Sequence, residues 1–228
     1  MSDESIFRLN AAGVPAPKGL YDPANEHDAC GVGFVARIDA EPRHDIVTQA
    51  VQVLINLEHR GALGGDKATG DGAGVMLRVP HAFFEKECAK SGLTLPSPGG
   101  YAVGMIFLPP DPALSLRCEA ALTRIAASGK CPVIGWRTVP VDPATLGELA
   151  GSTRPLIRQC FLRNPGLDTA GFERRLYMVR RLVEKEVAGW DDADFSQFYL
   201  TSLSARTIVY KGLLTGSQLA VFYPDLAD

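Results

Sequence analysis

The sequence predicts an α+β fold, and three observations carry that reading. Tyr101-Ala-Val-Gly-Met-Ile-Phe-Leu108 is an unbroken apolar run between turn residues, the pattern of a strand covered on both faces. Residues 172–187 place Phe172, Leu176, Val179, Val183 and Val187 on one helical face, with Gly189 beyond. Strands in close succession mix with helices of moderate length without clean βαβ alternation, which argues against a doubly wound sheet.

Residues 1–29 contain Pro15, Pro17 and Pro23 and show no sustained period of 2 or 3.6; they read as an extended leader. Residues 30–228 read as the folded domain. Residues 31–38 form a glycine-rich candidate for a buried strand. Asp45 is placed to cap a helix over 46–60, whose apolar Ile46, Val47, Ala50, Val51, Leu54 and Leu57 share a face. Gly61 suits its stop, and 61–74 is a loop with six glycines. There follow a strand at 75–79, a helix at 80–90, a turn at 96–100 and the strand at 101–108. A helix starts at Asp111 or Ser115 and runs to 127. Residues 134–139 read as a strand, 142–150 as a helical turn or two and 157–162 as a strand. After the helix at 172–187, the stretches 198–204, 207–212 and 219–222 read as strands joined by turns.

Among the 228 residues, 46% are hydrophobic and 21% charged, which is ordinary for a protein with a real core. The formal net charge of -3 gives no reason to expect nucleic acid or an anionic membrane as a partner. Apolar runs are too short to span a bilayer. The N-terminus lacks the basic and apolar regions of a secretory signal. Five cysteines, at 30, 88, 118, 131 and 160, include no Cys-x-x-Cys pair and suggest neither a disulfide framework nor a metal site. Reduced thiols in a cytoplasmic protein are the simplest expectation.

Cys30 stands where the leader ends and the first strand candidate begins. If the Ala29–Cys30 bond is cut, its thiol gains a neighbouring α-amine, whose pKa of about 7.7–8.0 leaves a useful fraction neutral. That amine acts as base for its own side chain. Against this, a lone Cys at a strand start is more often a core residue. Cys88 and Cys118 lie on helical patterns and read as packing residues.

Several segments together resemble the glutaminase domain of glutamate synthase large subunits, a class II glutamine amidotransferase. They are Asp28-Ala29-Cys30-Gly31-Val32-Gly33-Phe34, then Leu57-Glu58-His59-Arg60-Gly61-Ala62, then Thr69-Gly70-Asp71-Gly72-Ala73-Gly74. Next come Ile157-Arg158-Gln159-Cys160-Phe161 and Phe172-Glu173-Arg174-Arg175-Leu176-Tyr177. The last are Ser202-Leu203-Ser204-Ala205-Arg206-Thr207-Ile208-Val209-Tyr210-Lys211-Gly212 and Phe222-Tyr223-Pro224-Asp225-Leu226. The similarity runs in order from about residue 20 onward, and collinear motifs are far more specific together than singly.

The resemblance implies a four-layer αββα sandwich of the N-terminal nucleophile hydrolase type and removal of a propeptide that leaves Cys30 first. Its thiolate attacks the side-chain amide of L-glutamine, ammonia leaves, and water hydrolyses the glutamyl thioester to glutamate. The His-Arg-Gly segment carries over to Arg60 and Gly61, with Arg60 near the nucleophile, where a cation favours the thiolate. The alternative for Arg60 is an interaction with the last helix carbonyls. The glycine loop is neither a P-loop nor a Rossmann fingerprint, and its role is read as structural. The resemblance further implies partners: the remainder of the large subunit and a small flavoprotein subunit. It assigns no cofactor to this segment, placing FMN and an iron–sulfur cluster in the synthase part, where ammonia meets 2-oxoglutarate. NADPH, NADH and ferredoxin are equally compatible electron donors.

Two family motifs are missing. No Arg-Phe-Ser-Thr segment, which clamps the substrate carboxylate in the family, occurs, and no Asn is followed by Gly to form the oxyanion hole. Losing one oxyanion donor costs about 100–1,000-fold in rate. The 228 residues alone are therefore expected to lack substantial glutaminase activity, as a C-terminally truncated domain. Two competing readings stay open: a non-catalytic binding or regulatory domain of this fold, and another class II amidotransferase making aminosugars, purines or asparagine.

Overall fold

The computed structural model describes residues 17, 19, 22, 31–39, 41–61, 63, 66, 68–190 and 197–227. Among the described residues, six strands form two antiparallel sheets. Strand β1 (Ala73–Arg78) pairs with β6 (Thr207–Gly212). The larger sheet has the order β3 (Val133–Thr138), β4 (Leu156–Arg163), β2 (Tyr101–Leu108), β5 (Tyr199–Ser204). Helices intersperse them: α1 (Asp45–Asn56), α2 (His81–Ala89), α3 (Pro112–Ser128), α4 (Glu148–Ser152), α5 (Thr169–Ala188) and α6 (Leu219–Phe222). The fold is thus a mixture of helices with antiparallel sheets.

Strand β2 explains the architecture. It pairs with β4 from Tyr101↔Arg163 to Leu108↔Leu156, and with β5 on its other edge, where the register shifts between Met105 and Ile106. Both its faces are covered, so its sequence is apolar throughout. Ala102, Ile106 and Leu108 face a core built with Leu122 and Ile125 of α3 and Phe172, Leu176, Val179 and Val183 of α5. Tyr101, Val103 and Met105 face a second core shared with Val75 of β1, Phe84 of α2, Ile208 and Tyr210 of β6, and Phe222 of α6. Each fully buried Leu or Phe contributes about 2 kcal/mol. That outweighs local devices such as the Asp111 cap of α3, which accepts from the Ala113 and Leu114 N–H groups and contributes about 1 kcal/mol.

A polar network runs through the second core. The Arg137 guanidinium of β3 donates to both Asp225 oxygens at 2.7 and 2.8 Å and to Gln159 Oε1 at 2.9 Å. Gln159 Nε2 donates to the Tyr210 hydroxyl, which donates to Asp225, each at 3.0 Å. Glu87 of α2 stands 3.4 Å from the guanidinium.

The structure corrects four sequence expectations. Residues 31–38 have no strand assigned: Val32, Phe34 and Ile38 are 87%, 92% and 107% exposed. Apolar residues alone do not make a strand; a ladder partner must satisfy the backbone. The helix expected over 46–60 ends at Asn56, and a separate 3-10 turn covers Glu58–Arg60. Asp45 lies in the first turn of α1; His44 occupies the cap position and makes no side-chain cap bond. Residues 219–222 form α6 rather than a strand, because a short apolar run carries no decisive period. The expected leader falls almost entirely outside the described residues.

Candidate functional site

The end of α1 sets up the site. Leu57 N–H bonds to both Val53 O and Leu54 O at 3.1 Å, and the chain then tightens. Arg60 N–H reaches Leu57 O at 2.8 Å and Gly61 N–H reaches Glu58 O at 3.0 Å, the i to i−3 pattern of a 3-10 turn. Gly61 stops it in an extended conformation, φ −89° and ψ 157°, so the stop does not depend on left-handed backbone.

The segment that begins at Gly31 lies against this turn. A methyl group at Gly31 would stand 3.3 Å from Leu57 Cβ and 3.5 Å from Arg60 Cβ. Cys30 itself lies outside the described residues; its neighbour Gly31 has its backbone close to the start of the Arg60 side chain. Arg60 is exposed, and among the described residues its guanidinium has no hydrogen-bond or ion-pair partner. The alternative of a guanidinium bonded to the last helix carbonyls is therefore not what the geometry displays. A methyl at Gly61 would stand 3.4 Å from Asp71 Oδ1, so the glycine-rich loop brings a carboxylate to the Arg60–Gly61 corner. Asp71 sits inside one of the collinear motifs, but nothing in its spacing distinguishes it from any other loop residue.

Two segments distant in sequence, around Leu149 and around Gln218, hold that loop. Asp66 accepts from Ala68 N–H at 3.0 Å, from the Thr69 hydroxyl at 2.8 Å and from Leu149 N–H at 3.2 Å. These bonds, the Leu149 one first, hold its carboxyl below the ordinary range. Gln218 Nε2 donates to Ala68 O at 2.8 Å and Thr145 O at 2.6 Å. Gly70 packs on the Leu214 carbonyl with no room for a side chain. The later motifs also meet in space: Glu173 of α5 accepts from the Ser204 hydroxyl at 3.0 Å and Ala205 N–H at 2.9 Å.

The other four cysteines are buried and lack accessible surface. Burial pushes the Cys88 and Cys118 thiols up to about 11 and the Cys160 thiol to about 12, and raises Cys131 as well. Such thiols hold little thiolate near neutrality. An apolar cavity of about 250 Å³, lined by Phe107, Ile157, Leu214, Phe222 and others, has no cysteine or serine in its lining. Its Lys211 is occupied by the Tyr199 ring, 4.4 Å from the ring centre. No group of three or more His, Cys, Asp or Glu residues among those described is arranged to hold a metal ion.

A family model for class II glutamine amidotransferases matches residues 30–228. The chain belongs to the class II glutamine amidotransferases. Relatives of this amidotransferase domain include the large chain of NADPH glutamate synthase from Azospirillum brasilense, 43% identical over 226 residues, covering 97% of this chain and 14% of that one. The NADPH glutamate synthase large chain of Bacillus subtilis (strain 168) is 41% identical over 217 residues, 94% of this chain and 14% of that one. The chloroplastic ferredoxin-dependent glutamate synthase of Oryza sativa subsp. japonica is 40% identical over 226 residues, with 97% and 14% covered. The chain therefore spans 14% of the length of these relatives.

Proposed function

We propose that this amidotransferase domain is the glutaminase part of a glutamate synthase large subunit, with Cys30 as nucleophile. The observation that supports the site assignment is the closeness of the Gly31 backbone to Arg60, whose Cβ would stand 3.5 Å from a methyl added at Gly31. It sets the base of the Arg60 side chain near the residue that follows Cys30, while the other four cysteines are buried in packing positions. The family match begins at residue 30, which supports residues 1–29 as a removable leader and 30–228 as the domain. Helices α3 and α5 against one sheet, and the β1–β6 pair against its other face, support a four-layer αββα plan.

In this proposal the free α-amine of processed Cys30 takes the thiol proton. The thiolate attacks the glutamine side-chain carbonyl carbon; the C–N bond breaks and the amine proton leaves with ammonia. Water, deprotonated by the same amine, then cleaves the thioester to glutamate and restores the thiol. Arg60 favours the thiolate electrostatically, and Gly61 lets the backbone turn away without covering it. Ammonia passes to the remainder of the large subunit to aminate 2-oxoglutarate, with a small flavoprotein subunit as a further partner. FMN and an iron–sulfur cluster belong to that synthase part. The described residues do not fit a cluster, since their four cysteines are each buried in packing positions. No step is routed through either group. Free thiols support a cytoplasmic setting, and no helix among the described residues is long and apolar enough to cross a membrane.

The test is mass spectrometry of the full-length gene product together with a glutamine-hydrolysis assay. The expected outcome is a mature N-terminus at Cys30, with turnover abolished by Cys30→Ala. An active protein that keeps residues 1–29 attached would refute the mechanism.

A further inference from the structure

Helix α5 carries two stripes. Phe172, Leu176, Val179, Val183 and Val187 are buried in the first core. The opposite side exposes Arg174, Tyr177, Met178, Arg181, Leu182 and Lys185, at the spacings of three and four that line one side of a helix. Tyr177, Met178 and Leu182 are 64%, 58% and 53% exposed. An apolar group of this kind inside a polar rim marks an interaction surface. The rim is cationic. Helix α5 holds five basic and three acidic residues in a chain of net charge -3. All three carboxylates are engaged within the protein. Glu173 accepts from the Ser204 hydroxyl and Ala205 N–H, and Glu186 accepts from Arg124 of α3 at 2.6 Å. Glu184 takes two cations, Arg180 at 2.7 Å and Arg181 at 2.5 Å. Arg174 and Lys185 have no hydrogen-bond or ion-pair partner among the described residues. The exposed stripe is therefore an apolar seam between uncompensated positive charges.

Charge complementarity selects what covers it. A second copy of the same stripe would set like charges against each other, which costs affinity. A straight seam of about 16 Å along one helix suits another helix laid beside it, with apolar side chains at spacings of three and four. The chain spans 14% of the length of its relatives, so in a subunit of that kind most of the polypeptide lies outside these residues and is tethered at high effective concentration. We propose that the outer face of α5 docks an amphipathic helix from the remainder of the large subunit, one whose Asp and Glu side chains flank an apolar seam. This rests on the reading above in which the domain is part of a glutamate synthase large subunit. Carboxylates of the docked helix pair with Arg174, Arg181 and Lys185, while its apolar residues cover Tyr177, Met178 and Leu182.

The test is hydrogen peroxide oxidation of the full-length gene product, read by peptide mapping of its methionines. Met178 reports on the α5 face, Met76 of β1 serves as a control on another element, and fully buried Met105 reports loss of the fold. Met178 is expected to oxidise about tenfold more slowly than free methionine. The R174E/K185E variant is expected to raise its rate severalfold and leave Met76 unchanged. If Met105 oxidises too, that variant has unfolded and K185E alone decides. A Met178 rate near that of free methionine, or one that charge reversal does not move, overturns the proposal. A photocrosslink from Leu182→p-benzoylphenylalanine identifies the occupant. The expected product joins α5 to a segment of the same polypeptide with carboxylates at helical spacing around apolar residues. A crosslink to a second copy, to a separate protein or to lipid overturns the proposal, as does no crosslink at all. Glutamine hydrolysis is assayed on the same preparation. Hydrolysis with Met178 open defeats the docking face alone; no hydrolysis with Met178 protected defeats the glutaminase reading and leaves the face standing.

Discussion

Arg137 is 9% exposed at its side chain and its principal partner Asp225 only 3%. Removing Asp225 leaves the buried guanidinium with only Glu87, 3.4 Å away, and Gln159 as partners, which costs up to about 3–5 kcal/mol. Asp225→Ala is expected to lower stability by about that much in urea denaturation. The double variant Arg137→Met, Asp225→Ala should recover part of the loss, since no buried charge is then left unpaired. Cysteine chemistry offers a second check at this scale. In the native protein iodoacetamide should modify Cys30 and leave Cys88, Cys118, Cys131 and Cys160 untouched, because burial blocks access and holds those thiols protonated. Peptide mapping reads the outcome directly.

Helix α4 shows how one element depends on another. Its cap residue, Gly147, has no side chain to offer, and the first-turn N–H groups are met from the glycine-rich loop instead. Asp66 accepts from Leu149 N–H at 3.2 Å and the Thr69 hydroxyl oxygen from Ala150 N–H at 3.4 Å. A methyl at Gly147 would collide with both acceptors, whereas one at Gly151, inside the same helix, meets nothing within 4 Å. The two glycines should therefore respond oppositely. Gly147→Ala is expected to destabilise by about 1–3 kcal/mol, and Gly151→Ala to stabilise by up to about 1 kcal/mol through helix propensity. Paired thermal melts compare them, and equal shifts would contradict this account of α4.

For the whole molecule, pH sets a window. Glu58, Asp66 and Glu87 are held below their ordinary values by hydrogen bonds from, first in each case, Ser217 N–H, Leu149 N–H and the Lys90 ammonium. A depressed carboxylate stabilises fully above its unfolded pKa, 4.5 for the glutamates, and that contribution is lost as pH falls through the folded value. The buried thiols act in the opposite sense. Their stabilisation is full below 9.0 and is lost as pH rises toward about 11 for Cys88 and about 12 for Cys160. Urea midpoints measured against pH should form a plateau between these limits and fall on either side; a midpoint that rises above pH 9.0 would contradict the buried-thiol assignment.

Elements whose signal is local were legible in the chain before it folded. The range of β2 is legible because both faces are apolar, and α5 because its buried residues keep a 3.6-residue period with Gly189 beyond, although the Asp168 cap that starts the helix three residues before 172 shows only in the structure. The family was legible from collinear motifs. The remaining outcomes depend on partners far away in the chain, so only the folded arrangement settles them. Whether 31–38 becomes a strand depends on a neighbour to pair with, and whether 219–222 coils depends on packing against Val139 and Tyr223 in the second core. Local spacing does not reveal that Asp71 reaches Gly61, that Asp66 caps α4, or that Ser217 binds Glu58. The last two are hydrogen bonds between segments that meet only once the chain has folded, and the first is a close approach within one glycine-rich loop.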